Sequence, residues 1–280
     1  MSSNEKVWFI TGASSGFGRE IAKKLLEKGK IVVATARNPM DLNDLVRGYE
    51  GKALALKLDV TKRSEAEAAV KQAEDHFGSI DFLVNNAGYG YIGAIEEGEE
   101  AEVREMFDVN FFGAARMVHL ILPGMRKRKS GLIINMSSIA GLAGFGGLGY
   151  YSATKFALEG FSEALRMEVE PLGIQVMAVE PSGFRTDFAG RSLQDAHNRI
   201  KDYEQSAHSV QKMIHDYDGN QAGDPKRAAE AIIEAAESSN PPSNLILGED
   251  AYKRSAQKFQ NMVKLTENQK KTAIWADNPK

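Results

Sequence analysis

Short apolar runs alternate with amphipathic stretches from the first residues of the chain onward. Residues 7–10 (Val-Trp-Phe-Ile) form an unbroken apolar run, the pattern of a strand covered on both faces. A glycine-rich turn follows. In 19–28, Ile21, Ala22, Leu25 and Leu26 recur at helical spacing, and Gly29 is placed to stop that helix. The same reading predicts strands over 31–36, 53–58, 80–84, 131–136 and 174–179. Ser64 and Glu67 have the spacing of a capping box that opens the helix after the third strand. Further helices are expected over about 100–127, bent at Pro123, and over 151–170. Asp224 and Pro225 read as the N-cap and first residue of a helix to about 238, and 244–247 as a seventh strand closed by Gly248. Strands and helices alternating at this rhythm imply parallel βαβ units: an α/β fold with one doubly wound sheet of about seven strands, helices on both faces, in a single domain over 1–280.

Two segments stand outside the alternation. Residues 185–223 are polar and irregular, and residues 249–280 form a charged tail with a helical pattern over about 251–265. Ligands of doubly wound sheets bind outside the carboxyl ends of the strands, where 185–223 begins. Long connections of this kind are usually functional or disordered. The segment is therefore expected to be a substrate lid, mobile without ligands and ordered over them.

Composition removes several function classes. The formal net charge is −3, so neither a nucleic-acid backbone nor an anionic membrane surface is an expected partner. The basic run Arg126–Lys129 suits the negative end of a helix instead. With no cysteine there is no disulfide, thiolate nucleophile or cysteine-ligated metal. The five histidines (76, 119, 197, 208 and 215) show no paired ligand spacing, so no metal is expected. No apolar stretch reaches the ~18 residues of a membrane span, and the run at 7–10 is too short for a signal peptide, so a soluble, cytoplasmic protein is the expectation.

Thr11-Gly12-Ala13-Ser14-Ser15-Gly16-Phe17-Gly18 lies between the first strand and the first helix. Gly12 permits the tight turn, Gly16 lets backbone approach a pyrophosphate, and Gly18 allows close helix–strand packing. The phosphates would rest on amides at the helix N-terminus, with Ser14, Ser15 and Phe17 beside them. The alternative is a plain turn. Its position directly after a buried strand favours a dinucleotide.

The spacing Thr-Gly-x-x-x-Gly-x-Gly resembles the short-chain dehydrogenase/reductase family, and further matches follow in order. Asn85-Asn86-Ala87-Gly88 is similar to that family's N-N-A-G element, and Asp59-Val60 to its adenine-binding pair. Asn110, Ser138, Tyr151 and Lys155 fall where it carries its catalytic tetrad. Pro181-Ser182-Gly183-Phe184-Arg185-Thr186 looks like its cofactor loop, with Ser182 where the family often has glycine. The resemblance spans about 7–248 and implies a Rossmann-type NAD(P)-binding domain. It implies cofactor contacts from Asn86, Ala87, Gly88, Pro181, Gly183, Phe184 and Thr186. It also implies that Lys155 holds the nicotinamide ribose, that Ser138 bonds the substrate oxygen, and that Asn110 anchors a relay water through Lys155.

Hydride transfer to a carbonyl builds charge on oxygen and needs a proton donor. Tyr151 and Lys155 are four apart and share a helix face, so the lysine can pull down a phenol whose ordinary pKa is about 10. Tyr150 is instead four before Thr154. Taken singly, Ser138 could cap a loop, Asn110 could bond backbone and Tyr151 could be a core aromatic; taken together in order, they read as a site. The second strand ends Ala36-Arg37-Asn38 without the carboxylate that NAD-preferring relatives usually place there. Arg37 offers a planar fork suited to a 2′-phosphate, so NADP(H) is favoured, with NAD(H) the alternative.

The expected function is interconversion of a carbonyl and an alcohol, on a hydrophobic ketone, aldehyde or steroid-like molecule. The subgroup that looks closest, from Ala34–Arg37 and Val179–Pro181, is that of hydroxysteroid and retinol dehydrogenases. The alternatives are an inactive NAD(P)-binding regulatory protein and an NAD-preferring alcohol dehydrogenase. A homodimer or homotetramer through 100–127 and 151–170 is expected, from the apolar surface of the second helix and from the resemblance.

Overall fold

The protein is described here over residues 5–277 by a computed structural model. The apolar runs become β1 (Val7–Ile10), β2 (Ile31–Ala36), β3 (Ala53–Lys57), β4 (Phe82–Asn85), β6 (Gly131–Met136), β7 (Ile174–Pro181) and β9 (Asn244–Leu247). They pair in parallel in the order β3-β2-β1-β4-β6-β7-β9. Strand order reverses between β1 and β4, which opens a crevice at their carboxyl ends. A small second sheet pairs β5 (Gly90–Ile92) with β8 (Leu193–Asp195).

Both faces of the main sheet are covered, which is why its strands read as unbroken apolar runs. On one face Trp8, Ile10, Val32, Val84, Ile134 and Met177 pack against α1 (Gly16–Glu27) and α8 (Pro225–Glu237) through Ile21, Leu25, Ile232 and Ile233. On the other, Phe9, Val33, Leu83, Ile133 and Val176 meet α3 (Arg63–Phe77), α5 (Ala114–Arg128) and α6 (Gly149–Val169) through Val70, Met117, Ile121 and Leu165. The remaining helices are α2 (Asn43–Val46), α4 (Glu100–Phe107), α7 (Ala207–Asp216) and α9 (Glu249–Trp275).

Three local expectations change. Helix α3 begins at Arg63 with Lys62 as its N-cap and no side-chain cap, so Ser64 and Glu67 form no capping box. Glu67 pairs instead with Arg63 one turn back. The helix over 100–128 is interrupted at a π turn over Asp108–Gly113, and α5 runs through Pro123. The tail is one long helix to Trp275, well past the expected end near 265. Within 185–223, read as polar and irregular, lie β8 and α7.

Besides the β5–β8 pairing, a buried carboxylate ties that segment to the body. Glu97, 1% exposed, accepts from the amides of Ala94 (2.8 Å) and Ile200 (2.6 Å), and its Oε1 lies 2.7 Å from His208 Nε2. The ion pairs His197–Glu102 and His215–Asp195 lie nearer solvent. The Asp224–Pro225 start of α8 is as expected, with the Asp224 carboxylate accepting from the Lys226 amide at 2.9 Å.

Candidate active site

The crevice at the β1–β4 switch is floored by the glycine loop. Gly12 has φ +65°, and a Cβ there would stand 2.9 Å from Ala87 Cα. Gly18 permits a still closer approach: an added Cβ would lie 2.4 Å from Asn86 Nδ2 and 2.6 Å from the Gly12 carbonyl oxygen. The loop is tied across the switch. Thr11 Oγ1 accepts from the amides of Asn86 (2.9 Å) and Ala87 (3.0 Å), while Asn86 Nδ2 donates to the Thr11 and Gly12 carbonyls, both at 2.9 Å. Asn86 therefore spends its amide on the loop rather than in the crevice.

Ser15 sits at the N-cap of α1 in extended conformation, but its side chain makes no capping bond. The first-turn amides, with the positive end of the helix dipole behind them, face a cavity of about 340 Å³ lined by Ser14, Ser15, Gly16, Arg19, Arg185 and Thr186. Phe17 and Phe184 meet edge-on at 5.2 Å, and Thr186 stands opposite Gly16, so the loop at Pro181–Thr186 closes the far wall. Despite the serine, that loop leaves β7 smoothly: the Ser182 amide donates to the Leu247 carbonyl at 3.0 Å. Gly183 lies beside Gln221, off this wall.

Arg37 is exposed at the end of β2 and forms no ion pair among the described residues. Asp59 accepts from the Thr61 amide and hydroxyl. Burial pushes its carboxyl up, but those bonds with Lys62 and Arg37 outweigh it and hold it below the ordinary value. Val60 is buried, and its carbonyl accepts from Arg116.

The four residues of the expected tetrad converge above this floor. The π turn bulges Asn110 inward, where its side chain clasps the Tyr89 backbone: Oδ1 accepts from the amide at 3.0 Å and Nδ2 donates to the carbonyl at 2.8 Å. Gly88 lies between, its missing Cβ 3.0 Å from Asn110 Oδ1 and 3.8 Å from Lys155 Nζ. Lys155 is 6% exposed and donates to the Met136 carbonyl at 2.8 Å. Burial pushes its ammonium down to about 8, with Glu159 acting the other way. Its charge is therefore present at neutral pH and lost as pH rises through that value.

Tyr151 is buried against Phe188, ring centroids 5.2 Å apart. Burial pushes its phenol up to about 12, against a hydrogen bond with Ser138 that acts downward. The lowering expected from Lys155 is not what this geometry gives, because the ammonium is turned to Met136 and stands 5.6 Å from the Tyr151 ring centroid. Tyr150 points away and donates to the Ile95 carbonyl at 3.0 Å. Ser138 Oγ also accepts from the Ala140 amide at 3.1 Å.

Residues 6–197 match the profile of the short chain dehydrogenase family. The chain belongs to that family. It is an oxidoreductase acting on CH–OH groups. A 3-ketodihydrosphingosine reductase of Bacteroides thetaiotaomicron is 40% identical over 244 residues, 87% of this chain and 88% of that protein. A short-chain dehydrogenase structure from Streptomyces avermitilis superposes with a TM-score of 0.92 at 38% identity, covering 99% of this chain and 100% of that one. An alcohol dehydrogenase from Thermococcus sibiricus, complexed with 5-hydroxy-NADP, gives 0.71 at 26% identity, over 87% of this chain and 96% of that one. Other matched structures are complexed with NADH or NADP+.

Some roles around the site are not assigned from the sequence. Thr11 reads there only as part of the glycine motif, but its hydroxyl ties two distant loops, and Arg19 lines the cavity one residue beyond the glycines while pairing with Asp44. Asn85, Asn135 and Ser162 form a buried hydrogen-bonded row (2.9 and 2.8 Å) behind the tetrad. Polar residues within strands β4 and β6 were the available clue, since a buried amide needs a partner.

Proposed function

We propose that the protein is an NADP(H)-preferring oxidoreductase that interconverts an apolar ketone or aldehyde with its alcohol. The observation that carries this reading is the convergence of Ser138, Tyr151 and Lys155 at the carboxyl end of the sheet, beside an uncapped helix N-terminus. The crevice fits a dinucleotide because Gly16, with φ +56°, leaves its backbone open to the cavity and no side chain caps α1. The amides of Gly16, Phe17 and Gly18 with Ser14 and Ser15 would hold the pyrophosphate, Asp59 and Val60 the adenine end, and Ala87, Gly88, Pro181, Phe184 and Thr186 the nicotinamide half. When bound, the cofactor supplies or accepts the hydride. Tyr151 donates its phenolic proton to the substrate oxygen in reduction and takes it back in oxidation. Ser138 orients that oxygen, and the Lys155 ammonium offsets the charge left on the phenolate. Asn110 fixes Tyr89 and thereby the rim of the crevice.

The apolar cluster of Tyr91, Ile92, Leu148, Tyr151 and Leu193, with Tyr89, Phe145 and Phe188 against it, supports an apolar substrate. The long-chain ketone named for the Bacteroides relative is of that class. A turnover screen of ketones and aldehydes with NADPH and NADH tests the reading; cofactor binding without turnover of any of them would favour a regulatory protein instead. The preference for NADP(H) rests on Arg37, an unpaired guanidinium at the strand end. Arg37→Ala should raise KM for NADPH by about 10- to 100-fold, the effect of about 1.5–3 kcal/mol for a charge-assisted bond, and leave KM for NADH nearly unchanged. An equal response of both cofactors sinks the assignment.

Self-association follows from Phe112, Phe156 and Met167, which are 50%, 44% and 66% exposed in the π turn before α5 and on α6. Leu165 on the same helix is spent on the core. Light scattering at micromolar concentration should give a dimer or tetramer, and Met167→Lys should shift it toward monomer. A monomeric mass for the wild type removes this proposal.

A further inference from the structure

Helix α6 carries a third ionisable side chain in register with the two that face the crevice. Tyr151, Lys155 and Glu159 are successive positions at i, i+4 and i+8 on one face. Opposite Glu159, β7 presents Glu180, which is 0% exposed near the carboxyl end of that strand. Two carboxyl groups thus meet behind the site, and one amide serves both: Asn244 Nδ2, on β9, lies 2.5 Å from Glu180 Oε1 and 3.5 Å from Glu159 Oε2. The other oxygen of Glu180, Oε2, is buried without a hydrogen-bond partner among the described residues, while the Ser137 hydroxyl is a donor beside Glu159. Gly141 makes room for this cluster: a Cβ there would lie 2.6 Å from Ser137 Oγ and 3.1 Å from Glu159 Cγ.

Two carboxylates facing one another here, Glu180 buried and Glu159 half-buried, repel, and Glu180 leaves acceptor capacity without a donor. One proton between them removes the repulsion and supplies a missing donor. Among the described residues no cation is paired with Glu180: β9 contributes the neutral Asn244. The charges that reach Glu159 are Lys155, Arg166 and Glu163, all on α6. Building on the assignment of Lys155 to the reacting centre, we propose that Glu159 and Glu180 share a single proton, and that the one negative charge left on the pair makes Glu159 a positioning residue that keeps Lys155 an ammonium in its buried setting.

The directions of titration agree. Burial and then the Glu159 charge push the Glu180 carboxyl up to about 8; burial raises Glu159 too, while Glu159 opposes the fall of Lys155. An acid raised on folding binds its proton more tightly in the native state. The pair therefore favours the folded protein most below the ordinary carboxylate value of 4.5, and progressively less as pH rises toward about 8.

Infrared spectroscopy of the whole protein at pH 7 should show the carbonyl band of a protonated carboxylic acid that is absent from Glu180→Gln. Wild type without such a band overturns the shared proton. Should Glu180→Gln fold poorly, Asn244→Leu at an exposed position removes the shared donor and should move disappearance of the band to higher pH; an unmoved band has the same force against it. Carbon-13 NMR of labelled lysine, with Lys155 assigned by its loss in Lys155→Met, should find its titration lowered by about one unit in Glu159→Gln and not lowered in Glu180→Gln. An unmoved Lys155 in Glu159→Gln overturns the positioning role. Neither readout needs turnover, so a protein that reduces no carbonyl loses the proposed function while the shared proton is judged separately. With an active carbonyl in hand, the alkaline limb of kcat in Glu159→Gln should move to lower pH by the same amount.

Discussion

Tyr151→Phe should fold, bind cofactor as wild type does, and lose turnover by about 10²- to 10⁴-fold in kcat, the usual contribution of a positioned proton donor. The substitution removes one hydroxyl from a site otherwise left in place. Lys155 keeps its bond to the Met136 carbonyl, and the ring keeps its packing on Phe188. The lost hydrogen bond with Ser138 should cost only about 0.5–1.5 kcal/mol of stability. Tyr150→Phe is the control: its hydroxyl is spent on the Ile95 carbonyl, so kcat should hold within a few-fold. Steady-state rates with fluorescence titration of NADPH separate the two effects. Activity of Tyr151→Phe within tenfold of wild type would move the proton donor elsewhere.

The second large effect is structural and falls on the wall of the crevice. Glu97→Ala strips the partner from two backbone amides and from the buried His208, whose Nδ1 already lacks one. Breaking a buried pair in this way costs about 3–5 kcal/mol. The loss should be felt locally, because what Glu97 holds is the segment from Ile200 to α7. Hydrogen exchange over 200–216 should speed up while β1, β4 and β6 stay protected, and the KM of the substrate should rise more than that of the cofactor. Unchanged exchange in 200–216 would show that the segment is held by other contacts.

Opening of the proposed lid must break the Glu97 bonds to Ile200 and His208. The pH dependence has a definite sign. Burial pushes the Glu97 carboxyl up, but the Ile200 and Ala94 amides and His208 bring it below its ordinary value of 4.5. Its stabilisation is complete above about 4.5 and is lost as pH falls through the lowered value, so the segment should loosen in acid and not in mild alkali.

Much of this architecture could be read from the chain because the signals are local. A strand covered on both faces is apolar along most of its length, and β1, β2, β6 and β9 begin and end where the expected strands do. Gly12, with its positive φ, and Gly18, with its backbone contact, exclude a side chain whatever surrounds them. Tyr151 and Lys155 share a face because of helix geometry alone. Order along the chain then separated the crevice residues from chance matches, and the family assignment followed from that order.

What was misjudged locally has physical reasons as well. The spacing of Ser64 and Glu67 is that of a cap, but Glu67 is taken by Arg63 while Glu65 accepts from the Asp59 amide at 2.9 Å, and the helix starts earlier. Pro123 looked like the break in the long helix, yet the break is the π turn at 108–113 that turns Asn110 onto Tyr89. Periodicity cannot show one extra residue in a turn, because the apolar stripe continues on either side of it.

The sequence by itself determined the sheet, its covering helices, the glycine floor and the helix face bearing Tyr151 and Lys155, since each follows from a repeat or an excluded volume within a few residues. Tertiary structure alone decided what meets across the chain: His208 on Glu97 from 111 residues away, Asn244 on Glu180 from 64, and the Lys155 ammonium on the Met136 carbonyl rather than on the Tyr151 phenol. Those encounters depend on how sheet and helices stack. The strength of each charge depends on the burial that stacking creates, and no local pattern carries that information.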